Sequence, residues 1–202
     1  MGDFIAIFVE GETEKEFYEE LIQFYRKQST NKLKSHKVYN IKGIGKFESK
    51  MSLKLKGEVL NRHAAKDVKV ICCYDTDVFE LAKKPPVDWQ VVKKKVAELG
   101  IANFTQVKAK RMIEDWFLYD FEGVCKFLKL KNQKKVDGKD GNDKMQKLFK
   151  KGGRLYIKGS HTQKFIPSLE MKVIRNAVLD QLSDLEKAIG VKIQDQKKAK
   201  KK

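Results

Sequence analysis

The chain has 202 residues, with 44 Lys and Arg against 27 Asp and Glu, a formal charge of +17 at neutral pH. That length fits one domain of ordinary size with a small appendage, and the charge favours polyanions, nucleic acid first, over basic partners. The longest continuous apolar run covers only residues 4–9, far short of the roughly 18 to 20 that a membrane-spanning helix needs, so no membrane span is expected.

Residues 3–9 read as a strand buried on both faces, because the apolar run continues unbroken to Glu10-Gly11. Thr13 with Glu16 offers a capping box, and Phe17, Leu21, Phe24 and Tyr25 recur at helical spacing to about Gln28. A weaker strand covers 38–44, and Met51, Leu55, Val59 and Leu60 mark one face of a helix over 47–65. A second continuous apolar strand at 68–74 closes on Asp75-Thr76-Asp77. After Pro85-Pro86 a helix fits 89–99 and stops at Gly100. A fourth strand follows at 102–107, then a helix over 113–128 with Trp116, Phe117, Val124, Phe127 and Leu128 on its apolar face.

The pattern lapses over 129–143, a polar loop or mobile insertion, and resumes with a short helix at 144–150, a turn at Gly152-Gly153 and a short strand at 155–158. A long helical period over 165–189 breaks near Asn176, and the last six residues hold five lysines with no apolar anchor, the composition of a disordered tail. Strand and helix thus alternate four times. That order predicts an α/β fold with a mostly parallel, four-stranded, Rossmann-like sheet flanked by helices, because parallel strands need crossovers and right-handed crossovers place helices on the faces. The expected division is a catalytic domain over 1–128, a basic helical C-terminal extension packed on it over 129–195, and a disordered lysine tail over 196–202. Three cysteines, with Cys72 and Cys73 adjacent and Cys125 apart, form no disulfide framework and no metal-ligand spacing, so buried reduced thiols are expected. Asp3 and Glu10 bracket the first apolar run where a secretory signal would carry a basic segment, which points to the cytoplasm.

The first strand ends at Glu10 and the third at Asp75 and Asp77, and in an open parallel sheet all carboxyl ends open on one edge. Carboxylates that converge there repel one another unless something cationic sits among them. Short oxygen ligands beside a glycine turn suit a hard divalent cation, Mg²⁺ with Mn²⁺ as a substitute, which keeps positions open for water and phosphate oxygens. Each residue also has a plainer reading: Glu10 as one of several acids favouring a helix N-terminus, Asp75 and Asp77 as a solvated turn, and Glu114-Asp115 as the acidic start of a helix.

The run Ile7-Phe8-Val9-Glu10-Gly11-Glu12-Thr13-Glu14, with Cys73-Tyr74-Asp75-Thr76-Asp77 further on, resembles the Toprim domain shared by topoisomerases, primases and several nucleases. The Glu-Gly-x-Thr-Glu form, together with Met112-Ile113-Glu114-Asp115-Trp116-Phe117-Leu118, is similar to small stand-alone Toprim proteins of the overcoming-lysogenization-defect (OLD), RloB and DUF4276-like groups. The resemblance covers roughly residues 3–128, with a looser match around 156–161. It implies a Toprim-like fold and a Mg²⁺-dependent nuclease on DNA or RNA. Glu10 would be metal ligand or general acid/base, Asp75 and Asp77 metal ligands, and Glu14 and Glu114 further acidic positions near the metals. It also implies, by analogy with groups encoded beside an ATPase, a phage-defence setting with an ABC/OLD-type ATPase partner. Self-association is left open.

Charge is segregated along the chain. Residues 1–30 hold seven acids and three bases, whereas 126–164 hold thirteen bases and three acids, as expected if a basic groove grips phosphates while carboxylates hold ions. Lys158 and His161 are the non-acidic catalytic candidates: a lysine can stabilise charge on a transferring phosphate, and a histidine can shuttle a proton near neutral pH. Phe127, Phe149 and Tyr156 interleave with the bases and could stack on unpaired bases or build core. Competing functions are a ribosomal-RNA maturase of the ribonuclease M5 kind and a non-catalytic nucleic-acid-binding subunit. A third is a phosphomonoesterase, since Asp75-Thr76-Asp77 also resembles the Asp-x-Asp of haloacid-dehalogenase phosphatases, although Phe79 stands where those carry Thr or Val.

Overall fold

A computed structural model describes residues 4–160, 162 and 164–193. Strand β1 (Phe4–Val9) is followed by α1 (Glu12–Gln28), β2 (Ser35–Asn40), α2 (Phe47–Lys54), β3 (Val68–Asp75), α3 (Asp77–Leu81), α4 (Trp89–Ala97) and β4 (Asn103–Ala109). Among the described residues five more α-helices follow: α5 (Ile113–Phe117), α6 (Phe121–Phe127), α7 (Gly141–Lys151), α8 (Met171–Ala177) and α9 (Leu179–Ile189). The four strands form one sheet in the order β2-β1-β3-β4, and every neighbouring pair is parallel. The expected α/β fold is therefore present, with helices on both faces and an arrangement consistent with a Toprim-like sheet.

Side-chain alternation builds the two faces. Ile5, Ile7 and Val9 of β1 join α1, α5, α8 and α9 residues such as Phe17, Leu21, Trp116, Ile174 and Leu182 in one apolar cluster. Phe4, Ala6 and Phe8 join Met51, Leu55, Val92 and Val96 in the other. A strand that feeds both clusters must be apolar wherever it is covered, which is why β1 is apolar throughout and β3 is apolar from Val70 to Tyr74, with Lys69 only part-buried near its start. Phe149, Tyr156, Phe165, Ile174 and Leu185 from the C-terminal third share the first cluster with β1.

Several boundaries differ from the sequence reading. β2 begins and ends earlier than 38–44, because its register with β1 runs from Ser35 to Asn40 and positive φ at Lys42 and Gly43 then turns the chain away. The helix expected over 47–65 becomes a π-helical turn at Leu55–Val59 and then ends. The helix over 113–128 is broken by a 3₁₀ turn at Leu118–Asp120, where Asp120 caps α6 by accepting from the Gly123 amide and also accepts from the Glu170 amide. Asp140 caps α7 in the same way through the Asp143 amide, so that helix starts earlier than expected. Residues 155–158 form no strand. The period over 165–189 resolves into a 3₁₀ turn (Ile166–Ser168), α8 and α9, which meet at Val178, close to the expected break. All three cysteines are free and buried. His161 and the 196–202 tail lie outside the described residues.

Candidate active site

In a sheet ordered β2-β1-β3-β4, the chain reverses its winding direction between β1 and β3. The crevice outside the carboxyl ends of those two strands is where open parallel sheets place their ligands. Glu10 follows β1 directly and Asp75 is the last residue of β3, so the pairing of these strands alone sets the two carboxylates side by side. The Glu10 Oε1 accepts the Asp75 backbone amide at 2.9 Å, fixing the register of the strand ends. Asp77 opens α3, its Oδ1 accepting the Val78 amide. Glu14 lies in the first turn of α1 and Glu114 in the first turn of α5; both are buried.

The sequence-expected acids thus do gather, and the cation between them is a side chain. Lys158 Nζ lies 2.8 Å from Asp75 Oδ2, 3.5 Å from Asp77 Oδ2 and 3.8 Å from Glu114 Oε2. Burial alone would lower its pKa, but Asp75, Glu114 and Asp77 outweigh that and hold the ammonium well above the usual lysine range. The other Asp75 oxygen accepts the Ile113 amide at 2.9 Å, and the other Glu114 oxygen accepts the Tyr156 hydroxyl at 2.8 Å. Burial raises the pKa of Asp75 and of Glu114, with Lys158 opposing the shift in both. Burial also pushes Glu10 and Glu14 up to about 7.

The segment carrying Lys158 has no regular structure of its own and is tied down by backbone bonds. The Glu12 amide donates to the Gly159 carbonyl at 3.1 Å, and the Thr13 hydroxyl donates to the Ser160 carbonyl at 2.8 Å. Glu16 accepts from the amide and hydroxyl of Thr162. Thr13 and Glu16 therefore do not form the expected capping box; the N-cap is Gly11, and both side chains reach across to this loop instead. A Cβ on Gly11 would meet the Gly159 Cα at 2.9 Å and the Glu14 Oε2 at 2.7 Å, so only glycine lets the two chain segments cross here. Tyr156, read from sequence as a stacking or core ring, is buried and supplies the hydroxyl that orients Glu114. No local pattern announces it, because its partner lies 42 residues away.

Among the described residues, no group of three or more His, Cys, Asp or Glu side chains stands ready to hold a metal ion. The donor set nonetheless fits a hard divalent cation: every donor is a carboxylate oxygen, and Glu14 Oε2 and Glu114 Oε2 are buried without a hydrogen-bond partner. The arrangement can bind a cation, hold a carboxyl group that exchanges a proton near neutrality, and present an ammonium at its mouth.

The raised carboxyls carry a stability consequence. Between their ordinary value of 4.5 and about 7, Glu10 and Glu14 bind more protons in the folded chain than in the unfolded one. Their contribution is thus fully present below about pH 4.5 and is lost as pH rises through about 7. In chelator, the melting temperature should fall between pH 5 and pH 8, and Glu14→Gln should flatten that slope. A midpoint that stays level across this range in the wild-type chain would contradict the burial of these charges.

Fold and site together define a class: a parallel α/β domain with an acidic site at the switch point of its sheet. Neither the protein-family comparison nor the search of curated proteins gives a match. Among solved structures, the C-terminal region of the Xanthomonas campestris pv. campestris OLD protein is similar in shape, with TM-score 0.43 and 16% identity over 92% of this chain and 95% of that one.

Proposed function

We propose that this chain is a divalent-metal-dependent nuclease that hydrolyses phosphodiester bonds in DNA or RNA. The observation that carries the reading is the gathering of buried Glu14, Asp75 and Glu114 with half-buried Glu10, all raised in pKa, around one ammonium at the switch point of a parallel sheet. The Toprim-like motifs supply those residues and so support it. Glu10, Asp75 and Asp77, with Glu14 and Glu114 beside them, would hold Mg²⁺. Such an ion, when bound, polarises a phosphoryl oxygen and lowers the pKa of a bound water.

The chain's own groups divide the remaining work. Glu10, where it does not itself hold the ion, is the carboxyl that exchanges a proton with the attacking or leaving oxygen. Lys158 meets negative charge on the non-bridging phosphate oxygens. Tyr156 and the Ile113 amide keep Glu114 and Asp75 in place. In this reading 1–128 is the catalytic domain, and the basic extension over 129–195 lends it Lys158. A groove of about 870 Å³ along the outer side of β4, with Lys69, Lys93, Lys108 and Lys187 in its lining, offers a track for a phosphate backbone. The ATPase partner implied by the resemblance belongs to this proposal as a second component of the assay.

Purified chain should cut single- or double-stranded DNA or RNA in Mg²⁺ or Mn²⁺ and not in EDTA. Binding in EDTA should weaken with salt by about 0.7 to 0.9 log units per phosphate contacted per decade of salt. Cutting of one structured RNA at one position would place the activity with rRNA maturation. Salt-sensitive binding without turnover in either ion, with and without an ATPase, would leave a non-catalytic binding subunit instead.

A further inference from the structure

Two large apolar side chains stand in solvent on the loop that delivers Lys158: Leu155 is 78% exposed and Ile157 55% exposed. Tyr156 between them points the other way, into the core, and bonds Glu114. The loop is anchored on either side of Ile157, by the Arg154 amide on the Phe149 carbonyl and by the Glu12 amide on the Gly159 carbonyl, so this exposure belongs to a held conformation. Leu155 and Ile157 flank a pocket of about 360 Å³ whose wall also includes Phe127, Arg154, Tyr156 and Ser160. The Arg154 guanidinium stacks over the Phe127 ring at 4.4 Å, and among the described residues no carboxylate pairs with it. Among the described residues no acidic side chain lines this pocket, and the exposed Lys150 and Lys151 end the helix just before it.

Exposed apolar walls, a planar guanidinium that no carboxylate pairs with among the described residues, and a hydroxyl together recognise a ligand with a flat ring and an anionic group. We infer that this pocket receives one unpaired nucleotide of a polynucleotide, its base against Leu155, Ile157 and the Arg154 guanidinium that covers Phe127, and its phosphate on the N–H groups of that guanidinium. The inference rests on the nuclease reading and deepens it by naming the substrate as single-stranded or locally unpaired. Tyr156 is common to both places: the residue is part of the pocket lining and its hydroxyl bonds Glu114, so a base in the pocket sets a phosphate of the same strand toward the carboxylates. A duplex keeps its bases stacked and gains nothing from such a pocket, whereas base stacking on an aromatic or guanidinium surface is tolerant of sequence.

The test is binding without cleavage. An oligonucleotide carrying 2-aminopurine in an unpaired stretch is titrated with the full chain in EDTA, beside the same sequence as a duplex and beside free dAMP and AMP as competitors. Wild type should change the fluorescence of the probe and prefer the unpaired form. Arg154→Gln and Ile157→Asp should each weaken that binding about tenfold, leave duplex binding within about twofold, and leave the melting temperature unchanged, since both side chains stand outside the core. Unpaired-strand binding unchanged in both variants overturns the inference, as does competition by free mononucleotide at the concentration of the oligonucleotide. A change in oligomeric state on Ile157→Asp with oligonucleotide binding intact would assign the face to contacts between copies and overturn it too. Because all arms are run in EDTA, failure of the nuclease reading would appear as absent cleavage with these arms intact.

Discussion

Lys158→Met should lower the stability of the metal-free chain by about 3 kcal/mol, the scale expected when one partner of a buried charge cluster is removed. For a chain of this length that corresponds to a fall in melting temperature of about 6 to 12 °C. Methionine keeps most of the side-chain length and apolar stem, so the loss isolates the charge. Without the ammonium, Asp75 and Glu114 face each other and Glu14 with no counter-charge, and their only relief is protonation. The deficit should therefore shrink as pH is lowered from 8 to 5. Added Mg²⁺ should raise the melting temperature of the variant more than that of wild type, since an ion bound only by the folded state stabilises it by mass action. Thermal melts in EDTA and in Mg²⁺ across that pH range measure all three effects. A variant that melts within about 2 °C of wild type at pH 8 in EDTA would show that the ammonium does not hold the cluster.

That lysine also marks how far the sequence could be read. β1 and β3 were legible because a strand covered on both faces carries a run of apolar residues, Phe4 to Val9 and Val70 to Tyr74, and Glu10 and Asp75 were legible because they end those runs at the carboxyl edge. Lys158 was legible by chemistry alone. Its position among the acids depends on an aperiodic loop crossing over Gly11, and nothing near 158 in the chain reports a contact with residue 75. Thr13 and Glu16 were misread for the same reason: their spacing suits a local cap, but tertiary partners at Ser160 and Thr162 claim both side chains. Asp120 and Asp140 are the reverse case. Each is a local N-cap signal, and these caps are what split residues 113–128 into two helices and start α7 at Gly141.

Asp75→Asn separates the chemistry from the fold. Asparagine keeps the volume and can still accept the Ile113 amide, so the strand end and the start of α5 stay joined. The substitution removes a buried negative charge that Glu14 and Glu114 already disfavour, which offsets the lost ion pair with Lys158. The variant should consequently melt within a few degrees of wild type. Its metal-dependent cleavage should fall by about 10² to 10³-fold, the scale found when one preorganised electrostatic group is removed from a reacting centre, and calorimetry should show weakened Mg²⁺ binding. The two substitutions thus have opposite signatures, one on stability and one on rate. Combined, they should not add, because Asp75→Asn removes part of the repulsion that Lys158→Met exposes, and the double variant should be more stable than Lys158→Met alone. Cleavage by Asp75→Asn within tenfold of wild type would remove Asp75 from the reacting centre. A double variant no more stable than Lys158→Met would show that the ammonium serves Glu114 and Asp77 rather than Asp75.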